Sequence, residues 1–144
     1  MKEYYVFNLK KEFAILYKNK PSELFYIFNR IYYMKDIDKN YGYNLFEQIA
    51  LFYDKEEVND YIFSKYKDKI MYSINDNEHI INNLFLNEIS ILTVKSSNLK
   101  IETNLERCTF FKDLKQYSKN LFICNFKEQE YFFLKDYKIK IENE

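Results

Sequence analysis

The 144-residue sequence predicts an α/β (mixed α+β) fold: a single compact domain with a mostly antiparallel or mixed sheet of about five strands packed against about three or four helices. Three observations predict it. Apolar residues alternate in the opening segment and return in short runs through the last third, as strands require. Between these runs, apolar residues recur every three or four positions, as the inner faces of helices require. Backbone punctuation is sparse, with Pro21 and Gly42 the only residues of their kinds, and no segment has a linker's composition.

The elements follow in order. In residues 3–9, Tyr5, Phe7 and Leu9 share one face and Tyr4 and Val6 the other, so this reads as an inner strand with something packed on each side. A short helix over residues 10–18 places Phe13, Leu16 and Tyr17 on one side. Pro21 and Ser22 restart the helix, with Ser22 as N-cap and Leu24, Ile27, Phe28 and Ile31 as the core stripe. Residues 35–42 read as a connector in which Gly42 supplies a turn, and residues 45–52 as the next strand.

Asp54 and Glu57 have capping-box spacing and open a helix with Val58, Tyr61 and Ile62 inward. Residues 70–74 suit a short strand and 75–77 a turn. Residues 84–86 and 89–94 read as a hairpin around Asn87 and Glu88. Thr103 and Glu106 repeat the capping spacing before a helix carrying Leu105, Cys108, Phe111 and Leu114. Residues 121–126 form another inner strand, 127–129 a turn and 131–134 its return, while 137–144 suit an edge strand or a C-terminal tail.

Composition excludes several functions. Fifteen tyrosines and fourteen phenylalanines make the chain 20% aromatic, yet one glycine cannot build a P-loop or a dinucleotide fingerprint. With 22 basic and 22 acidic residues there is no bulk charge to drive nucleic-acid binding. No apolar run approaches a membrane span and no signal-peptide core develops, so a cytoplasmic protein with no membrane partner is expected.

No catalytic set assembles from local motifs, and no cofactor or metal is expected. His79 is the lone histidine, with no cysteine or second histidine nearby in sequence. Cys108 and Cys124 fall in core patterns and read as packed free thiols. Most aromatics, including Phe7, Phe28, Phe111 and Phe126, occupy periodic core positions. The aromatic runs at 121–126 and 130–134 support an alternative, a small aromatic-faced binding domain for RNA or single-stranded DNA. Phe13 and Tyr17 differ from the core aromatics, because their helix is short and its other side, with Lys11, Ile15 and Lys18, is only partly polar. Such a pair serves a core or an interface equally well by pattern.

The opening YYVFNLKKEFAILYKNKPSELFYIFN resembles the start of the SirA family, the sporulation inhibitors of replication of spore-forming Firmicutes. The corresponding residues are Tyr4, Tyr5, Glu12, Phe13, Ala14, Tyr17, Phe25 and Phe28, and Gln48 and Ile49 match the Gln-Ile pair that follows. Residues 108–134 resemble the family's closing helix and hairpin, and residues 53–102 match in outline only.

That resemblance implies a protein that works by binding. Its partner would be the N-terminal domain of the replication initiator DnaA, contacted by Phe13, Tyr17 and Gln48, so that replication initiation stops during sporulation. It further implies a monomer when alone, a heterodimer with its partner, and no direct contact with nucleic acid.

Overall fold

The structure is a computed structural model that describes residues 1–35 and 38–138. Its first strand, β1 (Lys2–Leu9), realises the alternation of the sequence. Tyr4 and Val6 enter one hydrophobic core, and Phe7 and Leu9 enter another on the opposite face. A strand with apolar residues on both faces needs cover on both. Here it lies inside an antiparallel sheet.

Three helices follow β1: α1 (Lys11–Leu16), α2 (Pro21–Tyr32) and α3 (Lys39–Ile49). The two-residue strand β2 (Ala50–Leu51) and helix α4 (Lys55–Tyr66) come next. The chain then makes β3 (Tyr72–Asn75), β4 (Glu78–Asn83), β5 (Glu88–Val94) and β6 (Leu99–Thr103). Helix α5 (Phe110–Tyr117) precedes a last hairpin of β7 (Leu121–Asn125) and β8 (Glu130–Phe133), closed by a 3-10 turn over Leu134–Asp136.

The sheet runs β3-β4-β5-β6-β1-β7-β8 with every pairing antiparallel. On the edge that β6 leaves free, β2 pairs with the end of β1 through Asn8 with Leu51 and Leu9 with Ala50. One face is covered by α4 and α5, whose Val58, Ile62, Phe110, Phe111 and Leu114 meet Val6, Leu92, Ile101 and Ile123. The other is covered over β1, β7 and β8 by α1, α2 and α3, where Phe7 stacks on Phe28 with ring centroids 4.2 Å apart. Among the described residues no helix is long and apolar enough to cross a membrane.

The expectation of about five strands against three or four helices is corrected to an open eight-stranded antiparallel sheet with five α-helices among the described residues. Residues 45–52 are not a strand. Gly42, Phe46 and Ile49 are buried at spacings of four and three, a helical stripe, and only Ala50 and Leu51 pair as strand. Gly42 therefore sits inside α3 with no positive φ, and it makes no turn.

Two strands went unread, β4 and β6, because each carries only two apolar residues, Ile80 and Ile81 in β4 and Leu99 and Ile101 in β6. The hairpin turn is at residues 84–87, so residues 84–86 are turn rather than strand, with Asn87 at φ 51°. Thr103 caps no helix: it ends β6, and its hydroxyl oxygen accepts from Leu105 N–H at 3.1 Å. Lys20, not Ser22, is the N-cap of α2, with Pro21 in the first helical position where its missing N–H costs nothing. Asp54 does cap α4, accepting from Glu57 N–H at 3.2 Å. Of the edge strand or tail expected over 137–144, Tyr137 and Lys138 are not in a strand, and residues 139–144 lie outside the described residues.

Candidate functional site

Helix α1 is the shortest helix among those described, and the sequence accounts for both ends. The backbone is still extended at Lys10, whose carbonyl accepts from Phe13 and Ala14 N–H at 3.0 Å each. Glu12 in the first turn suits the positive end of the helix dipole. The helix stops at Tyr17, whose N–H still donates to Phe13 C=O at 3.0 Å. Three residues later the chain must leave helical geometry, because Lys20 precedes Pro21 and takes φ −135°.

This short helix has one fully buried side chain, Ala14. Phe13 and Tyr17, one turn apart, are half-buried and lie against the core formed by Phe7, Leu24, Phe28 and Phe46. Each ring is thus anchored on its own domain while part of it faces solvent. The sequence reading placed Leu16 beside them on the inner side. It is instead 57% exposed, next to Ile15 at 66%, so the outward side of α1 is apolar as well.

Gln48 is exposed in the last turn of α3, not on a strand. Lys10 N–H donates to Ile49 C=O at 2.9 Å, which ties the start of α1 to the end of α3. The pairing of Leu9 with Ala50 reinforces that junction. Phe13 and Tyr17 therefore stand on one element and Gln48 on a second, with the two elements joined by backbone hydrogen bonds. Sequence reasoning missed the exposure of Leu16. With Ala14 alone required inside so short a helix, neighbouring apolar residues have nowhere to go but outward.

Nearby charges are exposed: Lys11, Glu12, Lys18, Lys20 and, on α3, Glu47. A hydrogen bond with Glu47 raises the Tyr43 hydroxyl above its ordinary pKa, with the carboxylate's charge adding to it. The arrangement offers ring faces, aliphatic surface and one primary amide. Its chemistry is that of contact, since rigid aromatic area binds at low entropic cost.

The other candidates have structural surroundings. His79 is fully buried, with Nδ1 2.7 Å from the Tyr72 hydroxyl and Nε2 2.7 Å from Asn59 Oδ1. Burial pushes its pKa down to about 4. Cys108 and Cys124 are buried free thiols, and desolvation pushes Cys108 up to about 12 and Cys124 well above its usual value. Among the described residues no three histidine, cysteine or acidic side chains cluster to hold a metal. All five residues of β7 are buried, as is Phe126, so these rings form core instead of an open stacking platform.

No curated protein matches the chain in sequence. A family model described as "Sporulation inhibitor of replication protein SirA" matches residues 2–138, spanning both cores and every element above. The chain belongs to the SirA family.

Proposed function

We propose that this protein inhibits replication initiation by seating α1 on the N-terminal domain of DnaA. Phe13 and Tyr17 supply the apolar centre of the contact, and Gln48 gives an amide hydrogen bond at its side. The observation that carries this reading is the half-buried aromatic pair on a short helix whose outward side is also apolar. Membership of a family described as inhibiting replication in sporulation supports the same reading. The protein acts in the cytoplasm as a monomer that forms a one-to-one complex, and occupying a surface that DnaA needs is enough for inhibition.

Titration of the purified DnaA N-terminal domain by calorimetry tests this. Phe13→Ala is expected to weaken binding by about 2 kcal/mol or more, roughly thirtyfold. Gln48→Ala is expected to cost about 1 kcal/mol, and Lys18→Ala at most a few tenths. Far-ultraviolet circular dichroism of each variant separates lost contact from lost fold. No binding by the unaltered protein at micromolar concentration, or equal binding by a folded Phe13→Ala protein, overturns the proposal.

A further inference from the structure

Turns between strands are built from glycine, proline, asparagine, aspartate and serine. The β4–β5 turn follows this rule at its edges and breaks it at its crown. Asn83 Oδ1 accepts from Phe85 N–H at 3.0 Å and from Leu86 N–H at 3.4 Å, and Asn87 takes the positive φ of 51°. Between them stand Leu84, Phe85 and Leu86. Leu84 is 89% exposed, and Phe85 is wholly exposed, as is Ile70 on the connector from α4 to β3. These are the three most exposed large apolar side chains among the described residues. They border one open depression together with Met71 and Leu86, and Asn82 N–H donates to Met71 C=O at 2.9 Å, tying the connector to β4. Folding gains nothing by leaving such side chains in water, so their placement points to a surface outside the chain.

The charge next to this apolar end is positive. Directly before Ile70, the chain carries Lys65, Lys67 and Lys69 against Asp68 alone, all exposed, a surplus of two positive charges. Among the described residues none of the three lysines forms an ion pair. Lys65 and Lys69 rest over the uncharged rings of Tyr61 and Tyr66, 5.2 and 5.8 Å from the centroids, so their charges stay uncancelled. Residues 82–87 carry no charge, and the Glu88 that follows is buried, its carboxylate accepting from Ser90 Oγ and Thr109 N–H. Beside Leu86, Glu106 is offset by Arg107 next to it and by Lys2 at 3.8 Å.

We propose that this end of the molecule binds an anionic lipid surface. Ile70, Leu84 and Phe85 enter the boundary between headgroups and acyl chains, and Lys65, Lys67 and Lys69 meet the lipid phosphates. Lipid is favoured over a folded protein by what the depression lacks. Its polar lining is Asn82 and Asn83, and Asn83 Oδ1 is already spent within the turn. A protein contact carries roughly one hydrogen bond per 100–200 Å², whereas hydrocarbon asks for none. The apolar side chains come from two separate segments, so no run in the sequence announces them, and a contact this small is peripheral and reversible. It is separate from the α1 surface assigned to DnaA and does not depend on that reading.

The test is co-sedimentation of the full chain with vesicles of phosphatidylglycerol and phosphatidylcholine in equal parts, and with vesicles of phosphatidylcholine alone. Binding to the mixed vesicles is expected to be about tenfold tighter and to weaken as salt is added. Phe85→Ser is expected to weaken it about tenfold. Lys67→Glu should weaken it about tenfold on the mixed vesicles and leave the neutral ones unchanged. Circular dichroism checks that each variant is folded. The chain has no tryptophan, so Phe85→Trp introduces a single fluorophore. Its emission should shift to the blue on mixed vesicles, while that of Tyr26→Trp, on α2, should not. Equal binding to both kinds of vesicle, equal shifts in the two tryptophan variants, or unchanged binding by a folded Phe85→Ser protein overturns the proposal. So does self-association that Phe85→Ser abolishes, in a chain that leaves the vesicles alone, since it would assign this end to a protein surface.

Discussion

At the scale of single residues, His79 shows what a buried polar group demands. Asn59 spends its amide nitrogen on Asn77 Oδ1 at 2.9 Å, so its oxygen is the atom that faces His79 Nε2. That oxygen accepts, so Nε2 carries the proton, and Nδ1 is left to accept from the Tyr72 hydroxyl. This is the neutral imidazole, with both nitrogens satisfied. Protonation would place a second N–H against the Tyr72 oxygen and a charge in a desolvated site. The folded pKa, about 4, lies below the ordinary 6.5, so between these values the unfolded chain binds more protons. The stabilisation from His79 is therefore complete above about pH 6.5 and is lost as pH falls toward 4. Denaturant titrations across this window should show stability falling with acid. His79→Gln should flatten that part of the profile while costing about 1–3 kcal/mol at pH 7. An unchanged acid slope in the variant would assign the pH dependence to other groups.

At the scale of elements, legibility followed how cleanly each segment's pattern matched one period. The segment that became β1 alternates without a break, and the capped start of α4 was readable from Asp54 and Glu57. The segment that became α3 was misread because LFEQIALF is apolar at both helical and strand spacings, and Gly42 suggested a turn. Tertiary packing decides there: Gly42 lets α3 lie close to Met34, since a Cβ at that position would be 2.7 Å from Met34 Sδ. That sulfur sits on a flexible side chain able to shift, and alanine favours helix over glycine by up to about 1 kcal/mol. Gly42→Ala is accordingly expected to be neutral or to stabilise by about 0.5 kcal/mol in thermal denaturation. A loss of more than about 1 kcal/mol would mean that Met34 cannot move aside.

The candidate site was legible for the same kind of reason. Phe13 and Tyr17 are four residues apart on a helix whose proline-enforced end is written in the sequence. The partnership of α1 with the end of α3 was not legible, because it depends on a hydrogen bond between Lys10 and Ile49 that no local pattern encodes.

At the scale of the whole molecule, the sheet has two ends with different characters. α1 leaves β1 after Leu9. At the other end, Lys2 pairs with Thr103, Thr103 with Ser90, and the β4–β5 turn projects just beyond. Leu84 and Phe85 on that turn, and Ile70 beside them, are almost wholly exposed. The turn is held by Asn83 Oδ1, which accepts from Phe85 N–H at 3.0 Å, and by Asn104, whose amide donates to Asn87 C=O at 2.7 Å. Because these rigid contacts use no Phe85 side-chain atom, Phe85→Ser should change stability by less than about 0.5 kcal/mol. It should also leave DnaA affinity unchanged, since the turn is at the opposite end of the sheet from α1. Denaturant titration and the calorimetric assay check both, and weakened DnaA binding would move the proposed contact to this end.

The place of β1 also has a consequence for how the chain comes into being. The interior strand β1 is translated before the other strands of the sheet, and its lateral neighbours come from residues 99–103 and 121–125. While the ribosome is still making those, the segment carrying Phe7 and Leu9 has no neighbouring strand at either long edge except the two residues of β2. Late-closing sheets of this kind fold slowly and leave sticky edges open in the meantime. Any message truncated before the codon for Leu121 would therefore yield a polypeptide prone to aggregation and degradation.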